Sequence, residues 1–151
     1  MAWRWSNVPV PEKYVAALVG AAILHVVTPL TIPLSRTTAR ILGLPILAGG
    51  IGLAAWAVAS AGDADVEKDS QLVTIGAYAY SRNPMYVGWS AAVLGLATAR
   101  RDPWLLAGWL IASRALHDEV VEEEARLAAR FGNAYATYRE RVPRYIQPLG
   151  R

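Results

Sequence analysis

Two short stretches of this chain bring together residue types that could share one piece of chemistry. The first is Ser81-Arg82-Asn83-Pro84-Met85-Tyr86-Val87-Gly88. Asn followed by Pro reads as a helix cap and first helical residue, where the missing proline N–H costs nothing. The backbone N–H groups opening such a helix make a seat for a carboxylate or other anion. Arg82 adds a fixed positive charge, Tyr86 an aromatic face with a hydroxyl, and Gly88 a point of close approach for a ligand or backbone. Taken alone, the same residues equally describe an ordinary capped helix with an interfacial Tyr and Arg. The second stretch is HDEVVEEEARLAARF, with Glu123 and Glu124 at its centre. On a helical wheel Leu116, Val120, Leu127 and Phe131 form a stripe about 60° wide, and the two glutamates fall on its shoulders. A carboxylate at the edge of a packed stripe is costly unless it meets a cation or hydrogen-bond donors. A ligand ammonium would serve, and so would a protein arginine, which the wheel alone favours. Asp118, Glu119, Glu122, Arg126 and Arg130 lie further round and read as a solvated face with i,i+4 pairs.

Composition narrows the chemistry. The chain has no cysteine, which excludes disulfides, thiolate metal sites and a cysteine nucleophile. Its net charge of +3 comes mostly from arginines interleaved with glutamates, which points toward a membrane surface and away from nucleic acid. A hydrophobic share of 54% and a mean hydropathy of +0.25 lie above the usual soluble range. The apolar residues are gathered in blocks while the charges crowd the connections and the last third, the segregation a bilayer demands.

The elements that must position the two stretches are therefore helices. The expected architecture is an all-α integral membrane bundle of about four transmembrane helices in a single domain over 1–151, with a cytosolic C-terminal helical extension. The spans are expected near 14–34, 41–60, 84–99 and 103–116, and the extension as helices 117–131 and 133–141. Gly49, Gly50 and Gly52 suit close helix contact in the second span, and Pro29 a tolerated kink near the end of the first. The N-terminal MAWRWSNVPVPEKY lacks the pattern of a removable signal peptide, and Trp3, Trp5 and Tyr14 suit an interfacial anchor. Between Gly62 and Ser81 the chain turns polar and then irregular or strand-like, forming a loop or lid outside the membrane. Asp102-Pro103 repeats the cap-and-proline start, and Gly132 reads as a helix stop. His25, inside the first span, is a functional candidate because polar groups there are expensive, although a bond to a neighbouring helix carbonyl accounts for it nearly as well. His117, Ser113 and Glu124 share a helix face and make a weaker cluster.

The two stretches also occur in a familiar order and spacing. From about Leu72 to Pro148, LVTIGAYAYSRNPMYVG followed by EEARLAARFGNAYATYRERVPRYIQP resembles the signatures of the isoprenylcysteine carboxyl methyltransferase and phospholipid methyltransferase superfamily of integral membrane enzymes. The matching elements are Gly-x-Tyr, Arg-[His or Asn]-Pro-x-Tyr-x-Gly, Glu-Glu-x-x-Leu, Phe-Gly, Tyr-x-x-Tyr and Val-Pro-Arg. Either signature alone is weak, and the two in series are fairly specific. The resemblance implies an S-adenosylmethionine pocket at the cytosolic end of the helices. Tyr78, Arg82, Asn83, Pro84, Tyr86 and Gly88 would lie along the cofactor, Glu123 or Glu124 would take its amino group, and Tyr135, Tyr138 and Arg144 would form the closing wall. Arg82, Glu123 and Glu124 would carry the chemistry, and no metal is implied. Asn83 stands where many members have His; an amide cannot titrate near neutral pH, so it is not a general base.

Methyl transfer from a sulfonium is an in-line displacement that asks the protein chiefly to align donor and acceptor and exclude water. The acceptor is expected to be lipophilic and to arrive through membrane lipid: an isoprenoid carboxylate, a phospholipid headgroup or a small hydrophobic thiol. An even span count puts both termini on one side of the cell membrane, and the arginine-rich C-terminus makes that side the cytoplasm. Two alternatives stand beside this expectation: a non-catalytic four-helix membrane protein that binds or transports, and a membrane reductase of the same superfamily.

Overall fold

The computed structural model describes residues 12–62, 64 and 71–146. The expectations for Trp3, Trp5, the acidic residues at 63 and 65–69, and Pro148 lie outside the described residues. Five helices run in the order α1 (Glu12–Val27), α2 (Arg36–Ala61), α3 (Pro84–Arg100), α4 (Pro103–Phe131) and α5 (Asn133–Arg141), with a single 3₁₀ turn at Gly76–Ala79 between α2 and α3. Among the described residues there is no strand, so the fold class is all-α, and of the two readings of 71–80, strand-like or irregular, the segment is irregular apart from its 3₁₀ turn.

Helix boundaries follow local chemistry, with two departures from expectation. The helix expected to reach residue 34 ends at Val27, because a residue preceding proline is pushed out of the α region and the connection carries both Pro29 and Pro33. Pro29 thus stops α1 instead of kinking it. Helix α2 starts earlier than expected, at Arg36, where the Ser35 hydroxyl accepts the Thr38 N–H at 3.0 Å as a helix cap. Helix α4 begins as its cap-and-proline pattern foretold: one Asp102 oxygen accepts the N–H groups of Trp104 and Leu105, each at 3.1 Å. It then runs 29 residues without a break to the positive-φ Gly132.

The chain forms two compact units, and α2, α3 and α4 each contribute residues to both. One unit contains the described residues up to Gly52 together with Gly88–Asp118. Here α2 and α3 meet backbone to backbone: a Cβ on Gly43 would lie 2.4 Å from the Ala99 nitrogen, one on Gly50 2.4 Å from the Ala92 nitrogen, and one on Gly95 2.2 Å from the Leu47 nitrogen. Gly43 and Gly50 are seven residues apart and share a face. A Cβ on Gly49 or Gly52 would meet nothing within 4 Å among the described residues, so of the three glycines expected at a helix contact Gly50 is the one that makes it there. Gly95→Ala is expected to destabilise the protein by about 1–3 kcal/mol, since backbone atoms cannot step aside as side chains do; thermal unfolding beside Gly49→Ala, which should be near neutral, measures it.

At one end of this unit His25 Nδ1 lies 3.1 Å from the second oxygen of buried Asp102. The Trp104 indole N–H donates to the Thr28 carbonyl at 2.7 Å, and the Arg101 guanidinium to the Leu34 carbonyl at 2.9 Å. His25 thus lies beside the α3–α4 connection. Outward, the same unit shows apolar side chains, including Val19, Ile23, Val26, Ile41, Leu44, Leu110 and Ile111. Helix α2 is long and apolar enough to cross a membrane, with only 28% of its most apolar window buried inside the protein.

The other unit contains Leu53–Val87 and the described chain from Glu119 onward. The C-terminal end of α2, the 3₁₀ turn, the start of α3, the last part of α4, and α5 make it up. Gly76 adopts φ +61° beside Ser60, whose hydroxyl accepts the Ala77 N–H at 3.0 Å and donates to the Trp56 carbonyl at 2.7 Å. That clamp sets the direction of the segment carrying Tyr78 into Arg82.

Candidate active site

The second unit holds the charged centre of the molecule. Glu124 is buried, and both of its oxygens are taken by guanidinium groups. Arg82 donates from Nε at 3.2 Å and Nη2 at 3.1 Å, and Arg144 from Nε at 3.1 Å and Nη2 at 3.0 Å. Asn83 adds its side-chain amide at 3.2 Å. Two bidentate pairs on one carboxylate are a strong, directional arrangement, and they relieve the desolvation that burial imposes.

The same residues tie the C-terminal segment to the start of α3. The Arg82 N–H donates to the Pro143 carbonyl at 2.9 Å, while the Ser81 hydroxyl at 3.1 Å and the Asn83 amide at 3.2 Å share the Arg144 carbonyl. Arg82 Nη1 reaches the Arg139 carbonyl at 3.3 Å, and the Tyr138 hydroxyl donates to the Tyr78 carbonyl at 2.7 Å. Asn83 differs from its expected role: its amide is spent on Glu124 and Arg144, and the helix-opening bond it makes is through its backbone carbonyl to the Val87 N–H.

Beside this centre lies an open cleft. Tyr78, Arg82, Asn83, Glu123, Glu124, Tyr135 and Tyr138 line it, together with Gln71, Leu72, Val73 and Leu127. A smaller cavity shares Tyr78, Arg82, Asn83 and Glu123 with it and adds Pro84, Met85 and Tyr86. Glu123 lines both and accepts the Tyr86 hydroxyl at 3.3 Å. The two signatures therefore converge on one place, although 35 or more residues separate them in the chain. Gly88 and Arg144 line neither cavity: Gly88 packs under α2, its carbonyl 2.7 Å from where a Gly50 Cβ would be, and Arg144 grips Glu124. His25, His117 and Ser113 are likewise not in the lining.

Sequence reasoning missed Gln71–Val73 as a wall of the cleft, and Ser81 as a bridge between Asn83 and the Arg144 carbonyl. An irregular segment has no periodicity to betray which side it presents. Ser81, next to Arg82, offered a signal only as a short polar residue ahead of a helix.

The tyrosines respond to this environment. Burial first, then the Glu124 charge, pushes the Tyr135 phenol up to about 12, with Arg82 and Arg139 partly opposing. Burial likewise raises Tyr78, helped by Glu123, and Tyr138, helped by the neighbouring tyrosines. A group whose acidity is weakened by folding contributes stability that is complete below its unfolded pKa of about 10 and is lost as pH rises through the folded value. The unfolding midpoint is thus expected to fall steeply between pH 10 and about 12, and Tyr135→Phe to soften that fall; thermal scans across this range measure both. Tyr135 is only 1% exposed, and its hydroxyl meets no partner among the described residues. An unmet buried hydroxyl costs about 1–3 kcal/mol.

Among the described residues no cluster of potential metal ligands exists. The cleft is lined by two carboxylates, Glu123 and Glu124, by the phenols of Tyr78, Tyr135 and Tyr138, and by aliphatic walls. The cleft is carried by a helical protein with a membrane-length helix. The chain belongs to the phospholipid methyltransferase family, whose profile matches residues 38–134. It is similar to the protein-S-isoprenylcysteine O-methyltransferases of Xenopus laevis, 38% identical over 73 residues, and of Homo sapiens, 38% identical over 77, each covering 48% of this chain. The Schizosaccharomyces pombe enzyme of that name is 38% identical over 78 residues, 50% of the chain. These matches span 25%, 26% and 33% of the relatives' own lengths. No solved structure shows significant similarity to the chain.

Proposed function

We propose that this chain is an S-adenosylmethionine-dependent methyltransferase that acts on a lipophilic acceptor at the cytosolic face of a membrane. The observation that carries the proposal is the convergence of Tyr78, Arg82, Asn83, Glu123, Glu124, Tyr135 and Tyr138, drawn from both signatures, on a single cleft. The residues present fit the methyl donor: a carboxylate for its ammonium, apolar and aromatic walls for its base, and a buried phenol in want of a partner.

S-adenosylmethionine supplies a methyl group already activated on a sulfonium, so the protein needs to bind, orient and exclude water. Glu123, braced by the Tyr86 hydroxyl, holds the ammonium. Glu124 and Arg82, expected to take part directly, act instead as positioning residues: their hydrogen bonds are spent on each other, on Arg144 and on the C-terminal segment. They hold the α3 start, α4 and the strap after α5 in register around the cleft. A carboxylate acceptor needs no general base, which agrees with an amide at Asn83. The relatives' names make a prenylated cysteine carboxylate the first acceptor to try, ahead of phospholipid headgroups and hydrophobic thiols.

For the membrane we propose four spans: α1, α2, α3 and the first part of α4, with the rest of α4 and α5 in the cytosol beside both termini. The outward apolar side chains of α1 and α2 support it. Helices α1 and α3, with 16 and 17 residues, reach only about 24–26 Å at ~1.5 Å per residue, so the bilayer must thin slightly or the connections enter the interface.

Calorimetric titration of detergent-purified protein with S-adenosylmethionine and its demethylated product, followed by transfer of labelled methyl to a farnesylated cysteine, tests the proposal. Saturable binding and label in the lipid are expected. Folded protein that binds neither compound would instead be a non-catalytic membrane protein.

A further inference from the structure

We propose that the 3₁₀ turn at Gly76–Ala79 is a membrane-seated lip of the cleft, with Ile75 and Tyr80 on either side of it and Trp56 of α2 lying in the headgroup layer of a bilayer. The inference rests on α2 as a span and is independent of the methyl donor.

Three large side chains of the second unit meet solvent. Ile75 is 69% exposed, Tyr80 68% and Trp56 47%. Single exposed apolar residues are ordinary, whereas grouped ones mark a surface that meets a partner. These three are grouped. The Trp56 and Tyr80 rings lie 5.8 Å apart between centroids. Ile75 is held nearby because Gly76 and Ala77, directly after it, sit on Ser60, one helical turn beyond Trp56.

The length of α2 indicates what covers them. Arg36 and Arg40 are exposed at its start, and from Ile41 to Ala61 it carries no charged residue. From Arg36 to Trp56 the helix rises about 30 Å, at ~1.5 Å per residue, which equals the thickness of a hydrocarbon core. Trp56 is also the last exposed residue of α2. The exposed apolar surface of the helix therefore ends in an indole at the depth where hydrocarbon gives way to headgroups, and Tyr80 lies against that indole. Trp and Tyr favour this boundary because each has an apolar ring and a polar tip. The connection after Gly62, which the sequence alone places outside the membrane, is thus seated in the bilayer surface through Ile75 and Tyr80.

The opposite side of the turn faces the protein. Ala77 and Tyr78 are buried, Tyr78 lines both cavities, and its carbonyl accepts the Tyr138 hydroxyl. One turn of chain carries both lipid-facing and cleft-lining residues, which sets the cleft at headgroup depth.

The chain has no cysteine, so a single introduced thiol carries one environment-sensitive fluorophore at a known place. The test labels Ile75→Cys, Tyr80→Cys, Ile46→Cys at the middle of α2 and Ala136→Cys on α5, all at exposed positions, in phosphatidylcholine vesicles. Quenching is compared for lipids with a nitroxide near the headgroup, lipids with a nitroxide deep in the acyl chain, and aqueous iodide. Labels at 75 and 80 are expected to lose most fluorescence to the shallow nitroxide, the label at 46 to the deep one, and the label at 136 to iodide. Labels at 75 and 80 that behave like the one at 136, while 46 meets the deep nitroxide, overturn the lip and leave the span standing. Labels at 75 and 80 shielded from all three quenchers overturn it in favour of a protein cover, such as a second copy of the chain. A label at 46 that no lipid quenches removes the span itself and the lip with it.

Discussion

Glu124→Gln is expected to destabilise the protein by about 3–5 kcal/mol, the cost of breaking a buried ion pair from one side. The neutral amide would leave Arg82, whose side chain is 8% exposed, without its counter-charge, and would turn an NH2 group toward donors that need an acceptor. Arg144→Met should cost less, because that guanidinium is 36% exposed and can hydrate once released. The loss should be localised. Arg139, Pro143 and Arg144 each accept a bond from the 81–83 segment through a backbone carbonyl, and the guanidinium of Arg144 grips Glu124. Without the central carboxylate, the chain after α5 should become accessible to protease before the rest unfolds. Thermal unfolding in detergent with a parallel proteolysis time course measures both effects. Glu124→Gln protein with a wild-type melting curve and an intact C-terminal segment would mean that the cluster contributes nothing to holding the site together.

Glu123→Gln should do the reverse. Its carboxylate lies at the lining of both cavities and accepts the Tyr86 hydroxyl, so neutralising it should lower stability by less than the loss of the doubly paired Glu124 does. Loss of a hydrogen bond to a charged ligand group costs about 1.5–3 kcal/mol, or roughly 10- to 150-fold in affinity for S-adenosylmethionine. Titration of the variant beside Tyr86→Phe, which keeps the charge and removes only its brace, should give a large loss for the first and a small one for the second. Equal affinities of Glu123→Gln and wild type would sink the assignment of Glu123 to the ammonium. Adjacent glutamates with opposite phenotypes, one in stability and one in binding, are the expected signature of this site.

Much of this was legible in the residues. The helix starts at Pro84 and Pro103 and the stop at Gly132 follow from proline lacking an N–H and glycine tolerating positive φ, which are properties of single residues and hold in any context. The block pattern of apolar residues sufficed to find α2, and the two signatures sufficed to nominate the lining of the cleft. The end of α1 was legible too, in Pro29 and Pro33, but a long apolar run outweighed it.

Partnership was not legible. The helical wheel set Glu123 and Glu124 on opposite shoulders of one stripe and could rank neither, because a wheel describes one helix and an ion pair needs two elements. Only the fold brings Arg82 from the start of α3 and Arg144 from beyond α5 onto the one carboxylate of Glu124, while the Glu123 carboxylate accepts the Tyr86 hydroxyl. The same holds for Gly50 against Gly49, for Tyr135 against Tyr138, and for Asn83, whose amide left the helix end for Glu124. Backbone preferences are local and can be read residue by residue. Which polar group is satisfied within the protein, and which remains for a ligand, depends on segments distant in the chain and is decided only when they pack.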